Sequence, residues 1–134
     1  MNSLQFNDLL ISFTNEFLPL WNDKGSGAHK AIGLWRPSTA SDALNPFFSL
    51  GDIAVNHYRN INQSKVVAVV SDANKVEGTA LRPPVDYQLV WHDEGTGALS
   101  NASIWRPIPP QGYVAMGLVY GVNYDKPSRH AVRC

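Results

Sequence analysis

The chain has 134 residues, 44% of them hydrophobic and 16% charged. That is long enough to bury one core without staples, and it suits a single lightly charged domain over 1–134. The 11 basic and 11 acidic side chains cancel, so no global field recruits nucleic acid or an anionic membrane.

The N-terminus lacks a basic region, and Leu9-Leu10-Ile11 is too short for a signal segment. No stretch reaches the length of a membrane span. The expected location is cytoplasmic, or exported without a cleavable signal peptide. The single cysteine, Cys134, cannot form an internal disulfide. It reads as a solvent-exposed or family-inherited thiol.

Gln5 to Phe13 fits neither period well and reads as a strand or one short helix. Glu16 to Trp21 reads as a strand entering the turn Asp23-Lys-Gly-Ser-Gly27, where glycine supplies positive φ and aspartate caps its own backbone. The chain returns through Ala31 to Trp35, and Pro37 ends or edges that strand. Phe47 to Val55 is rich in β-formers, with Gly51 marking a bulge or a close backbone approach. Lys65 to Val70 is a β-branched run bounded by polar turns. Tyr87 to Trp91, a second Gly-rich turn, Trp105, and a strand from Tyr113 to Tyr120 complete the series. Helical periodicity is absent. About eight to ten short strands are expected at this spacing, in an all-β domain of pseudo-repeated antiparallel strands, a β-prism or a β-sandwich.

Two stretches share one grammar. Trp21-Asn-Asp-Lys-Gly-Ser-Gly-Ala28 is answered by Trp91-His-Asp-Glu-Gly-Thr-Gly-Ala98, and Trp35-Arg-Pro37 by Trp105-Arg-Pro107. The offset is a constant 70, as from 21 to 91 and from 35 to 105, and all four tryptophans lie inside it. Leu50-Gly51 and Met116-Gly117 correspond at an offset of 66, which places four extra residues of the first copy in a loop after Pro37. Repeat one covers about 17–58 and repeat two about 87–124.

The chemistry of these copies is sparse. Asp23 and Asp93, with Lys24 and Glu94 beside them, present charge next to Gly-rich backbone and can meet sugar hydroxyls or a cation. One carboxylate per loop falls short of the roughly six to eight oxygens that calcium takes, and the same residues also make a plain tight turn. The tryptophans read as core, with Arg36 and Arg106 stacked over an aromatic ring as part of the repeat. Asp52 and Asn56 would share a face of one strand, with His57 pointing away. Leu118 stands where the second copy would repeat Asp52, so the fold does not demand that carboxylate. The four histidines show no metal-ligand spacing, and no nucleophile motif or phosphate-cradling loop occurs. No catalytic residue, metal or cofactor is expected, and the chain reads as non-enzymatic.

The order Ala80-Leu-Arg-Pro-Pro-Val-Asp-Tyr-Gln-Leu-Val-Trp91, Ser103-Ile-Trp-Arg-Pro107, Pro110-Gln-Gly-Tyr-Val-Ala-Met-Gly117 and Lys126-Pro-Ser-Arg-His-Ala-Val-Arg-Cys134 resembles the vacuolar protein sorting-associated protein 62-related family of fungi and plants. A more distant likeness is to the repeated adaptor-binding region of large vacuolar-sorting lipid-transfer proteins. The resemblance implies a β-rich repeated binding module without enzymatic activity. The leading expectation is a lectin-like or toxin-targeting module that binds a cell-surface glycan through Asp23, Lys24, Asp93 and Glu94, then Asp52 and Asn56. The alternatives are a protein-adaptor module that docks a peptide on a strand edge, and a membrane-associating or self-assembling structural protein. No nucleic-acid partner is expected.

Overall fold

The computed structural model describes residues 3–24, 31–39, 46–74, 76–92 and 102–134. Among them there is no helix, and ten strands form three antiparallel sheets. In chain order these are β1 (Leu4–Phe6), β2 (Leu9–Thr14), β3 (Phe17–Asn22), β4 (Gly33–Pro37), β5 (Phe48–Ser49), β6 (Ile53–Val55), β7 (Val67–Asp72), β8 (Asp86–His92), β9 (Ser103–Ile108) and β10 (Val119–Gly121).

The first sheet has the order β1-β2-β7-β5. Residues 5–13 form a hairpin, not a helix. Asn7 turns it at a φ of 53°, a left-handed value that asparagine tolerates better than most side chains. The β-branched strand β7 lies in the interior of the sheet, with Leu9 of β2 opposite Asp72 and Thr14 opposite Val67. Residues 132–134 lie against this sheet. The Arg133 N–H donates to Ser49 O at 3.0 Å, and Cys134 exchanges backbone bonds with Arg82 at 2.8 and 3.1 Å. Cys134 is therefore buried rather than solvent-exposed, and burial pushes its thiol pKa up.

The other two sheets are copies of one plan, β3-β4-β6 and β8-β9-β10. Their strands correspond at the offsets read from the sequence, down to a register break between Pro19 and Trp21 in one and between Leu89 and Trp91 in the other. The strand expected over Tyr113 to Tyr120 is confined to Val119–Gly121. Pro109 and Pro110 donate nothing to a ladder, and Tyr113 closes a turn onto Pro110 O at 3.0 Å. Gly117 then lies against Gly51. A Cβ on Gly51 would stand 2.9 Å from Gly117 Cα. At Gly51 the chain leaves the first sheet after β5 and enters the second at β6, which is why the run from Phe47 to Val55 is broken.

Each copy closes its own small core. Phe17, Trp35 and Ile61 pack together in one; Tyr87, Trp105, Val119 and Val132 in the other. Trp21, Leu34, Ala102 and Tyr120 join the copies between them. Removing either Trp35 or Trp105 to alanine would cost about 3–5 kcal/mol, the usual loss for a buried aromatic. Trp91 departs from the expected core role. It remains 38% exposed and meets its counterpart Trp21 edge to face, the ring centroids 6.2 Å apart. The arginines depart as well: neither copy stacks its Trp-Arg-Pro guanidinium on a ring. Among the described residues the ring-stacked arginine is Arg133, 4.0 Å above Phe48.

Candidate functional site at the open end of the second sheet

Asn22 pairs with Gly33, and Gly33 with Val55, so one end of β3-β4-β6 carries Asp23 and Lys24 on one side and Asn56 on the other. Asp23 is 5% exposed. Its Oδ1 accepts the Ile32 N–H at 3.0 Å and the Tyr58 hydroxyl. Its own N–H donates to Ile32 O at 3.2 Å. This carboxylate closes the turn and anchors the segment after β6. The hydrogen bond to Asp23 is the main reason the Tyr58 phenol titrates above its ordinary value. Lys24 holds its ammonium 5.1 Å from the Tyr58 ring centroid, a cation–π approach. Asn56 is exposed.

Between these residues lies a half-open hollow of about 240 Å³ lined by Trp21, Asn22, Gly33, Trp35, His57 and Tyr58, among others. Asn22 Oδ1 accepts the Lys24 N–H at 3.1 Å, and His57 Nδ1 accepts the Arg59 N–H at 3.1 Å. The second imidazole nitrogen of His57 remains for other partners. Asn22, His57 and Tyr58 are not among the residues singled out from the sequence. They reach the hollow because β6 pairs with β4, a long-range pairing that no local pattern announces.

Asp52 lies elsewhere. Only Ile53–Val55 is strand, and Asp52 precedes it, so Asp52 and Asn56 flank β6 rather than sharing a strand face. The Asp52 side chain is 3% exposed. It receives Arg36 Nε at 3.0 Å and Nη2 at 2.9 Å, a two-pronged pair, and also the Tyr120 N–H at 2.8 Å. Arg36 Nη2 donates further to Tyr120 O at 2.9 Å. The hydrogen bond from Asp52 raises the Arg36 pKa. This pair ties β4 and β6 of one copy to β10 of the other. Arg106, the counterpart of Arg36, is exposed and among the described residues reaches only Gln88 Oε1 at 3.4 Å, because Leu118 replaces the acid. Asp93 and Glu94 lie outside the described residues, as do the glycines of both turns.

Among the described residues no group of three or more His, Cys, Asp or Glu is placed to hold a metal. No helix there is long and apolar enough to cross a membrane.

Three antiparallel sheets, two of them copies of one strand plan, define an all-β repeat protein with a polar and aromatic hollow at one sheet end. The family model described as Vacuolar protein sorting-associated protein 62 matches residues 2–134, and the chain belongs to that family. Among solved structures it is similar to the crystal structure of GNIP1Aa from Chromobacterium piscinae, with a TM-score of 0.75 and 27% identity. That likeness covers 95% of this chain and 24% of the other, so the chain spans about a quarter of that protein's length. No curated protein matches the chain. Family and structural neighbour are consistent with a binding module.

Proposed function

We propose that the protein is a non-enzymatic recognition module that binds a glycan in the hollow at the end of β3-β4-β6. The observation that carries this reading is the composition of the hollow: the exposed Tyr58 phenol, with what Trp21 and Trp35 leave uncovered, beside Asn22 and His57. A sugar ring offers C–H faces to an aromatic and hydroxyls to amide and imidazole groups, so both halves of its chemistry find a complement. Asp23 contributes by holding Tyr58 in place rather than by touching ligand. A glycan array with the wild type and an Asn22→Ala, His57→Ala double variant tests it. Selective binding that disappears in the folded variant supports the site. An empty array, or binding indifferent to the two changes, overturns it.

A peptide partner is the second reading, favoured by the edge of β8. Pro107 has no N–H, so its pair with Tyr87 is not hydrogen-bonded, and by alternation the Leu89 N–H points away from β9. Leu89 is exposed. Its counterpart on β3 is Pro19, which has no N–H to offer, so β3 is guarded against strand addition where β8 is open. Amide exchange slowed at Leu89 by a bound peptide would support this reading, and unchanged exchange there would dismiss it.

A further inference from the structure

Beside the close approach of Gly51 and Gly117 the two copies part company. The offset of 66 that relates those glycines also relates Phe48 to Val114 and Ser49 to Ala115. In the first copy this segment is β5. Phe48 pairs with Val70 and Ser49 with Val69 across the ladder to β7, and Ser49 O also accepts the Arg133 N–H at 3.0 Å. In the second copy Val114 and Ala115 belong to no strand. Among the described residues their backbone groups make no hydrogen bond. A stretch of chain with free N–H and C=O groups is a template for another strand.

That stretch forms one wall of a hollow of about 450 Å³, which Arg106 and Pro109 also line. Val114 and Met116 are each 68% exposed there, and apolar side chains grouped in the open mark an interaction surface. Arg106 supplies the charge. In the first copy Arg36 gives both prongs to Asp52. Here Leu118 stands at the acid's position, and no carboxylate among the described residues pairs with Arg106. Because Arg106 and residues 113–118 line the same hollow, one ligand reaches both the cation and the free backbone.

We propose that this hollow binds an extended peptide segment of a partner protein, one that carries an aspartate or glutamate among apolar residues. Its backbone pairs with Val114 and Ala115 as β7 pairs with Phe48 and Ser49. Its carboxylate meets the Arg106 guanidinium as Asp52 meets Arg36, and its apolar side chains lie on Tyr113, Met116 and Leu118. In strand addition the main-chain bonds supply affinity and the side-chain sites supply specificity, and a guanidinium fork suits a carboxylate two-pronged. A sugar finds little here, since the Tyr113 hydroxyl is already given to Thr79 O and the other walls are apolar. The site rests on neither reading above. The glycan hollow ends β3-β4-β6, and β8 is the opposite edge of its sheet from β10.

The test exposes the whole chain to a library of amide-capped hexapeptides, each with one Asp or Glu among Val, Ile, Leu and Thr. Matched sets carry Asn, Gln or Lys in place of the acid, and amide NMR shifts and hydrogen exchange locate the binding. Saturable shifts and slowed exchange at Val114 and Ala115 are expected with acidic members, and at least about tenfold weaker binding with neutral ones, the worth of one good charged contact. Arg106→Gln should weaken the acidic peptides by a similar factor and leave the neutral ones unchanged. Arg106→Glu should turn the preference toward the Lys set. Both variants should fold, because the side chain is exposed. N-methylation of alternate peptide amides should abolish binding in one phase and spare it in the other. No binding across the library, neutral peptides binding as well as acidic ones, or affinity untouched by Arg106→Gln would each overturn the proposal. Shifts confined to Leu89 would overturn it too, assigning the peptide to the β8 edge.

Discussion

Gly51 and Gly117, the same position in the two copies, touch backbone to backbone. A Cβ on either would fall within 3.0 Å of the other's chain: 2.9 Å from Gly117 Cα in one case, 3.0 Å from Leu50 O in the other. Backbone atoms cannot swing aside as a side-chain tip can. Gly51→Ala and Gly117→Ala are each expected to cost about 1–3 kcal/mol, the usual range for overpacking. Urea denaturation measures it, and a variant as stable as the wild type would show that the copies can part without loss.

The two Trp-Arg-Pro arginines should behave unequally. Arg36 completes a hydrogen-bonded pair with a 3% exposed Asp52, and removing one partner leaves the other uncompensated. Because Arg36 itself is 32% exposed, Arg36→Ala should cost about 2–3 kcal/mol, somewhat below the range for a fully buried pair. Arg106→Ala should change stability by less than about 0.5 kcal/mol, as surface contacts usually do. Equal losses in thermal melts would refute the distinction.

A complementary exchange links β4 and β6 to β9 and β10. Gly33 faces Val55 in one copy, and Ser103 faces Gly121 in the other, so each pair keeps one glycine, on opposite strands. A Cβ on Gly121 would lie 2.9 Å from Ser103 Oγ. Gly121→Val should therefore destabilise, and Ser103→Gly should recover part of the loss although it frees Trp105 Nε1 from its 2.8 Å bond to Ser103 Oγ. A double-mutant cycle should give a favourable coupling of about 0.5–3 kcal/mol. Simple additivity would count against the pairing.

Tyr87 donates to Ser128 O at 2.7 Å, and its phenol is pushed up to about 12 from 10.0, chiefly by burial. A raised folded-state value means its stabilising contribution is complete below pH 10.0 and fades as pH climbs toward about 12. Tyr87→Phe, the choice the first copy makes at Phe17, should cost about 1 kcal/mol at neutral pH through the lost hydrogen bond. It should also flatten the alkaline fall in melting temperature, with Tyr58 and Tyr120 accounting for what remains. An unchanged alkaline slope would assign the effect to other groups.

The repeat, the strand positions and the all-β class were legible because they rest on local grammar: tryptophans at fixed offsets, β-branched runs and glycine turns. Gly51 was readable as a close approach, but not that Gly117 was what approached. Asp52 was read as a candidate ligand group because Leu118 showed the repeat could do without it. The same substitution, set beside an arginine present in both copies, was also the signature of an ion pair confined to one. Asp23 was singled out for its turn, yet its carboxylate serves Tyr58, far along the chain. Pairings between distant segments decide such roles, and periodicity does not carry them.

The backbone bonds that hold Arg133 to Ser49 and Cys134 to Arg82 bear on how the molecule is made. During synthesis β5 and β7 leave the ribosome long before residues 132–134 exist. Until that late segment arrives, the Ser49 carbonyl of β5 and the Phe48 ring lack the partners it brings. Contacts so distant in sequence slow the search for the native state. The growing chain is thus open to mispairing at this edge until residues 132–134 emerge.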